Sequence, residues 1–195
     1  MPRLSIGLPV YNGEAFVGDA IRSLLDQTFT DFELIISDNC STDRTVEIVQ
    51  AFAEQDPRVR IHRNETNLGA ARNFNLVFEL ATAEFFKWAA ADDICQPAYL
   101  ARCIDMLDSD PDIVLCHSLA DQIDPDGQRV GEYRYPMRAD APDVLTRFTD
   151  LIIVRHDCHA VFGVIRHDAL AKRPSSAPMS APTGCCWENL LCWVN

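Results

Sequence analysis

Leu4-Ser5-Ile6-Gly7-Leu8-Pro9-Val10-Tyr11-Asn12-Gly13-Glu14 opens the ordered part of this sequence. Leu4 to Val10 has the composition of a short β-strand, and it runs out into the turn-forming Tyr11-Asn12-Gly13. Glu14 to Gln27 then places Phe16, Ala20, Leu24 and Leu25 at helical spacing. A strand that passes through a short turn into a helix is the unit from which a mostly parallel sheet flanked by helices is built.

The same unit repeats outward. Phe32 to Ser37 reads as a second strand, and the turn-rich Asp38-Asn39-Cys40-Ser41-Thr42-Asp43 leads into a helix with Val46, Val49 and Phe52 on its apolar face. Val59 to His62 is a third strand, followed by Asn67-Leu68-Gly69 and a helix from about Ala70 to Leu80. Phe85 to Ala89 is a fourth, stopping at Asp92-Asp93. Beyond it the pattern predicts a helix over Pro97–Leu107 and a strand over Ile113–Leu119. A turn at Asp124-Pro125-Asp126-Gly127, a polar strand, a helix near Asp143–Ile153 and a last strand over Ala160–Ile165 follow. No repeat or low-complexity linker interrupts the series, so residues 1–171 are expected to form one α/β domain.

Composition narrows the function. The 195 residues carry 17 Lys+Arg against 29 Asp+Glu, a formal charge of -12, and 48% hydrophobic residues. That is a globular composition with no apolar run approaching the ~20 residues of a membrane span. An acidic chain is a poor nucleic-acid binder, because such proteins concentrate positive charge on one face. The amino terminus lacks the apolar stretch and cleavage site of a secretory signal, which favours the cytoplasm. Of eight cysteines, Cys40, Cys95, Cys103, Cys116 and Cys158 are scattered singly and read as buried or loop thiols. No C-x-x-C pair suggests zinc.

The chemistry gathers where the strands end. In a doubly wound sheet ligands sit outside the carboxyl ends of the strands, and there the sequence places Tyr11 and Asn12, Asp38 and Asn39, and Asp92 and Asp93. An aromatic ring and a carboxylate suit a nucleobase, by stacking and by accepting from a ring N–H. Adjacent carboxylates suit Mg²⁺ or Mn²⁺, with phosphate oxygens completing the shell; the plainer reading of Asp92-Asp93 is the start of a helix. Arg72 could clamp a diphosphate, although a lone helical arginine is usually a surface residue. Neither G-x-G-x-x-G nor a Walker lysine motif is present, which counts against a nicotinamide oxidoreductase and against a P-loop.

Four motifs in order carry a more specific signal: Leu8-Pro9-Val10-Tyr11-Asn12-Gly13-Glu14, Ser37-Asp38-Asn39-Cys40-Ser41-Thr42-Asp43, Asn67-Leu68-Gly69 with Ala71-Arg72-Asn73, and Lys87-Trp88-Ala89-Ala90-Ala91-Asp92-Asp93. Together they resemble the family 2 glycosyltransferases of the GT-A fold over roughly residues 4–120. The resemblance implies a nucleotide-diphosphate sugar donor, uridine favoured, bound by Pro9, Tyr11, Asn12, Glu14, Asp38, Arg72 and Asp92. It also implies a Mn²⁺ or Mg²⁺ ion held by Asp92 and Asp93. Ala90 stands where the family often has the first Asp of its metal motif.

The implied reaction is an inverting transfer to an acceptor hydroxyl in glycan or cell-surface polysaccharide synthesis. Residues 1–120 would form the donor half and 121–171 part of the acceptor half. The catalytic base is not placed by the motifs; His156, Asp157 and His159 precede the acceptor-like Phe162-Gly163-Val164-Ile165-Arg166, where any could approach an acceptor hydroxyl, and the plainer reading is a polar loop. Peripheral association with the inner membrane face is compatible with such a role. The alternative is a nucleotide-binding remnant that binds donor without turnover.

Residues 172–195 depart from all of this. Lys172-Arg173-Pro174-Ser175-Ser176-Ala177-Pro178 leads to Cys185-Cys186-Trp187 and Cys192-Trp193-Val194-Asn195 with no helical period. They read as a poorly packed tail. Regrouping the codons of Cys185, Cys186, Trp187 and Glu188 by one base forces Leu-Leu-Gly, and the regrouped stretch resembles the family's acceptor-side segment. An out-of-frame tail is the sharper alternative to that plain reading.

Overall fold

The computed structural model describes residues 1–133, 136–138, 140–153 and 159–172. Asp157, His156 and the 173–195 tail lie outside the described residues. β1 (Leu4–Val10), β2 (Phe32–Asp38), β3 (Val59–Arg63) and β4 (Phe85–Trp88) are joined by α1 (Val17–Leu25), α2 (Thr45–Gln55) and α3 (Ala70–Glu79). β1 pairs in parallel with β2 and β4, and β2 with β3. After α4 (Tyr99–Ser109) the chain adds β5 (Leu115–Cys116), a hairpin of β6 (Ala120–Ile123) and β7 (Arg129–Tyr133), and α5 (Val144–Ile153). A 3₁₀ turn (His159–Phe162), β8 (Val164–Arg166) and α6 (His167–Ala171) complete it. The six-stranded sheet has the order β3-β2-β1-β4-β8-β5, with β8 antiparallel to both neighbours.

Every residue of β1 and β2 is buried, as it must be in a parallel sheet covered on both faces. The strand period of two sorts these side chains. Leu4, Ile6, Leu8, Val10, Leu34, Ile36 and Phe85 join the core beneath α1, α2 and α4. Ile35, Phe86 and Trp88 point the other way, toward Val77 and Phe78 of α3 and toward Val161 and Ile165. Gly7 lets α3 close on the sheet: a Cβ there would stand 2.6 Å from Val77 Cγ2.

Three expectations are corrected. The first helix begins at Val17 rather than Glu14, because residues 13–16 form a turn, Phe16 N–H donating to Gly13 O at 3.1 Å, while Glu14 is tied to a neighbouring loop. Ile113–Leu119 contributes only Leu115–Cys116, an edge whose sheet partner among the described residues is β8. Ala160–Ile165 is not a strand throughout; it coils through the 3₁₀ turn and extends only from Val164. Gly163 permits that change, since a Cβ there would lie 2.7 Å from Cys116 O.

The turn at Asp124–Gly127 forms as its composition predicts, Asp124 Oδ1 accepting from Asp126 and Gln128 N–H at 3.0 and 2.8 Å. Cys40, Cys95, Cys103 and Cys116 are free thiols, buried or half-buried. No helix among the described residues is long and apolar enough to cross a membrane.

Candidate functional site

Sequential strands run β1, β2, β3 toward one edge, whereas β4 lies on the other side of β1. The order therefore reverses between β1 and β4, and the crevice outside their carboxyl ends is where an open α/β sheet accepts a ligand. The two exits adjoin: a Cβ on Gly13 would stand 3.8 Å from Ala91 Cβ.

The β1 exit is stitched to the β2 exit. Asn12 has φ 51°, a left-handed conformation that Asn tolerates, and its Oδ1 accepts from Thr42 N–H at 2.9 Å. Asn12 N–H donates to Ser41 Oγ at 2.9 Å, Gly13 N–H to Thr45 Oγ1 at 2.8 Å, and Arg44 N–H to Glu14 Oε2 at 2.9 Å. Asn12 and Glu14 thus spend their side chains on shaping the mouth. Tyr11 does not: it remains 49% exposed at the rim. Pro9 lies two residues past the last β1–β4 pair, Gly7↔Trp88, so its missing N–H removes no ladder bond on that side.

Asp38 ends β2 fully buried, with both oxygens accepting from Ser41 N–H at 3.3 and 3.2 Å and Arg63 Nε 3.7 Å away. Beside it runs an amide network that sequence reading did not assemble. Ser37 Oγ donates to Asn73 Oδ1 at 2.6 Å, Asn64 Nδ2 donates to Asn73 Oδ1 at 3.0 Å and to Asn39 Oδ1 at 3.1 Å, and Asn39 Nδ2 donates to Asn67 Oδ1 at 2.9 Å. Leu68 N–H closes it on Asn39 Oδ1 at 2.9 Å. The network locks the β3–α3 loop to the end of β2, and buried amides satisfied in this way rigidify what they join. Asn64 was detectable only as an asparagine just past a strand end.

Arg72 is not brought to the mouth. Its guanidinium meets Glu79, seven residues on, at 2.8 Å and therefore points along α3 away from the crevice. Both partners are about half exposed, and such surface pairs contribute at most about 1 kcal/mol, so the side chain is free to be recruited.

Asp92 and Asp93 lie in the turn after β4, both exposed. They do not start a helix: α4 begins at Tyr99, with Ala98 at its cap and no side-chain capping bond. No hydrogen bond or ion pair within the described residues engages either carboxylate, and no cluster of three or more His, Cys, Asp or Glu side chains forms among those residues. Two adjacent unengaged carboxylates fit a divalent cation whose remaining ligands are phosphate and water. Crowding by the surrounding chain, then the Asp92 charge, raises Asp93 above the ordinary carboxylate range, while Lys87 and His159 pull it back.

Lys87 and His159 therefore belong to this neighbourhood. Lys87, 3% exposed, donates from Nζ to Phe162 O and stands 5.0 Å from the Tyr99 ring centroid. Tyr99 Oη donates to the same carbonyl at 3.0 Å. Burial lowers the Lys87 pKa, opposed by the charges of Cys95, Asp93 and Cys103, and pushes the Tyr99 phenol well up, so it remains a donor. His159, in the 3₁₀ turn, packs against Tyr133 with ring centroids 4.1 Å apart. Neither Lys87, Tyr99 nor Tyr133 was singled out as a site residue from sequence.

A mostly parallel sheet with this reversal point, a shaped first loop and free acidic residues after β4 is the frame of the GT-A nucleotide-sugar transferases. The chain belongs to glycosyl transferase family 2, whose sequence profile matches residues 5–173. It is 29% identical to the chondroitin synthase of Escherichia coli over 138 residues, 70% of this chain and 20% of that protein. Staphylococcus aureus TarS, solved in complex with UDP, superposes with a TM-score of 0.71 at 21% identity, covering 98% of this chain and 54% of that one. The mannosyltransferase PcManGT of Pyrobaculum calidifontis, solved with GDP-Man and Mn²⁺, gives 0.54 at 24% identity, covering 58% and 34%. These likenesses establish the GT-A fold. The chain spans only 15 to 37% of the length of three curated relatives that it matches at 28 to 37% identity.

Proposed function

We propose that this chain binds a nucleoside-diphosphate sugar, with a UDP-sugar favoured, and serves its transfer with inversion to an acceptor hydroxyl in glycan or surface-polysaccharide synthesis. The observation that carries the reading is the pair Asp92–Asp93, solvent-open and unengaged at the β1/β4 reversal point. The UDP-bound TarS, the Mn²⁺-bound mannosyltransferase and the chondroitin synthase relative support it.

Tyr11 offers its exposed ring to the base, and Asp38, buried and fixed by Ser41 N–H, holds the β2 exit that would have to open for its carboxylate to meet the base. Asn12 and Glu14 hold the loop that presents Tyr11. Arg72, released from Glu79, pairs with the diphosphate. Asp92 and Asp93 would hold Mn²⁺ or Mg²⁺, which when bound neutralises negative charge on the departing diphosphate. On the acceptor side we take His159, in the turn packed against Tyr133, as the group that would accept the hydroxyl proton.

The test is a thermal-shift panel of UDP, GDP, TDP, CDP and NAD, each with and without Mn²⁺, on the chain and on Asp92→Ala/Asp93→Ala. Ligand binding raises the midpoint by mass action. The expected result is a Mn²⁺-dependent rise with one nucleoside diphosphate, largest for UDP, that the double variant loses. A cooperative melt that no diphosphate shifts, with or without Mn²⁺, overturns the reading.

A further inference from the structure

Lys87 is an ammonium sealed inside the domain with no carboxylate paired to it among the described residues. Burying a charge without a counter-ion costs stability, and an apolar side chain of the same length would fill the space without that cost. Packing alone does not call for lysine at this position. What the ammonium does is hold one atom: the Phe162 carbonyl, to which Tyr99 Oη also donates at 3.0 Å. That carbonyl closes the 3₁₀ turn carrying His159, and Gly163, the next residue, donates its N–H back to Ala160 O at 2.9 Å. Lys87 pairs across the sheet with Val164, so the same strand position meets the turn through both its backbone and its side chain.

We infer that Lys87 is a positioning residue of the candidate site: it pins the His159–Phe162 turn against the end of β4 and thereby sets the acceptor side of the crevice relative to Asp92 and Asp93. The sheet delivers both to the same edge. β4 leads from Lys87 to the two carboxylates within one short loop, while β8, running the other way, brings the preceding turn to that edge. Tyr99 from α4 and Tyr133 from β7 flank the turn on its other sides. Lys87 touches neither donor nor acceptor in this arrangement; it acts through the turn. The part of the inference that concerns metal and nucleotide rests on the donor-binding reading above, whereas the pinning of the turn does not.

The experiment compares the full chain with Lys87→Met and, as a milder variant that keeps the ring, Tyr99→Phe. The first readout is hydrogen exchange of the Val161–Gly163 amides in the nucleotide-free protein. Loss of the pin is expected to speed it about tenfold or more in Lys87→Met, and less in Tyr99→Phe, with core β1 and β2 amides unchanged. The second is Mn²⁺ affinity in the presence of saturating UDP, expected to weaken about tenfold in Lys87→Met as the turn beside the carboxylates loosens, the low end of what groups behind a metal site contribute, while metal-free UDP affinity is retained. A general folding defect would move all of these together. Wild-type exchange at the turn in a folded Lys87→Met overturns the inference, as does wild-type exchange in Tyr99→Phe should the first variant not fold. Absence of any Mn²⁺-dependent UDP binding by the unaltered chain would instead remove the donor reading, leaving the exchange result to decide the pin.

Discussion

Gly7 is where α3 comes closest to the sheet, and the space there is already taken by Val77. Gly7→Ala should destabilise the fold by about 1–3 kcal/mol, the usual effect of overpacking a buried position, as measured by urea denaturation. Asp92 and Asp93 differ from Asp43 and Asp143 in being unspent. Asp143 receives Thr146 N–H at the start of α5 and Asp43 receives Thr45 N–H, whereas neither β4-exit carboxylate has such a partner. This was half legible in the sequence: two carboxylates after an apolar strand signal a cation or a helix start, and only the distance to Tyr99 separates the two. The direction of Arg72 was not legible, because it depends on Glu79 two helical turns away. Glu79→Gln should lower stability by well under about 1 kcal/mol and strengthen UDP binding by freeing the guanidinium, read by calorimetric titration; unchanged UDP binding would show that Arg72 serves only α3.

Among the elements, α3 is held at the mouth by amides rather than by apolar packing alone. Asn73 accepts from Ser37 and Asn64 and donates to Ser37 O at 2.9 Å, all in a buried setting. Asn73→Ala would leave those partners unsatisfied and should cost about 1–3 kcal/mol in a thermal or urea melt. Helix α5 has a different support. Asp150 accepts from Arg138 N–H, Nε and Nη2 at 2.8, 2.9 and 2.6 Å, and this pairing holds its pKa down to about 2. A folded-state pKa below the unfolded value means that the stabilisation is complete above about pH 4 and disappears as the pH falls through about 2. Urea midpoints should therefore drop across that window, and the drop should be shallower in Asp150→Asn. The helices and parallel strands were readable because each carries an uninterrupted period. The 3₁₀ turn was not, since Ala160–Ile165 has strand composition and its coiling is imposed by Lys87, Tyr99 and the backbone of Cys116 around it.

For the whole molecule, the order β3-β2-β1-β4 follows from repeated strand–helix units, which sequence periodicity reveals. What periodicity could not supply is the last step, in which β8 enters between β4 and β5 against the direction of the parallel strands. Antiparallel insertion is set by contacts among residues more than fifty positions apart, such as Arg166 Nε donating to Ile113 O at 2.9 Å. The donor-side loops, by contrast, lie within the first hundred residues and within elements that their own motifs announce.

That late insertion gives the domain an order of assembly. Residues 4–88 can form the parallel strands as they emerge, but β4 keeps one side unpaired until the chain has been made as far as Arg166. An unpaired apolar edge is a template for association with other chains. A chain ending after Tyr133 should therefore aggregate at concentrations where the full chain stays monodisperse by light scattering. During synthesis the same exposed edge would persist for as long as the ribosome takes to add the intervening segment, a natural interval for a chaperone to occupy.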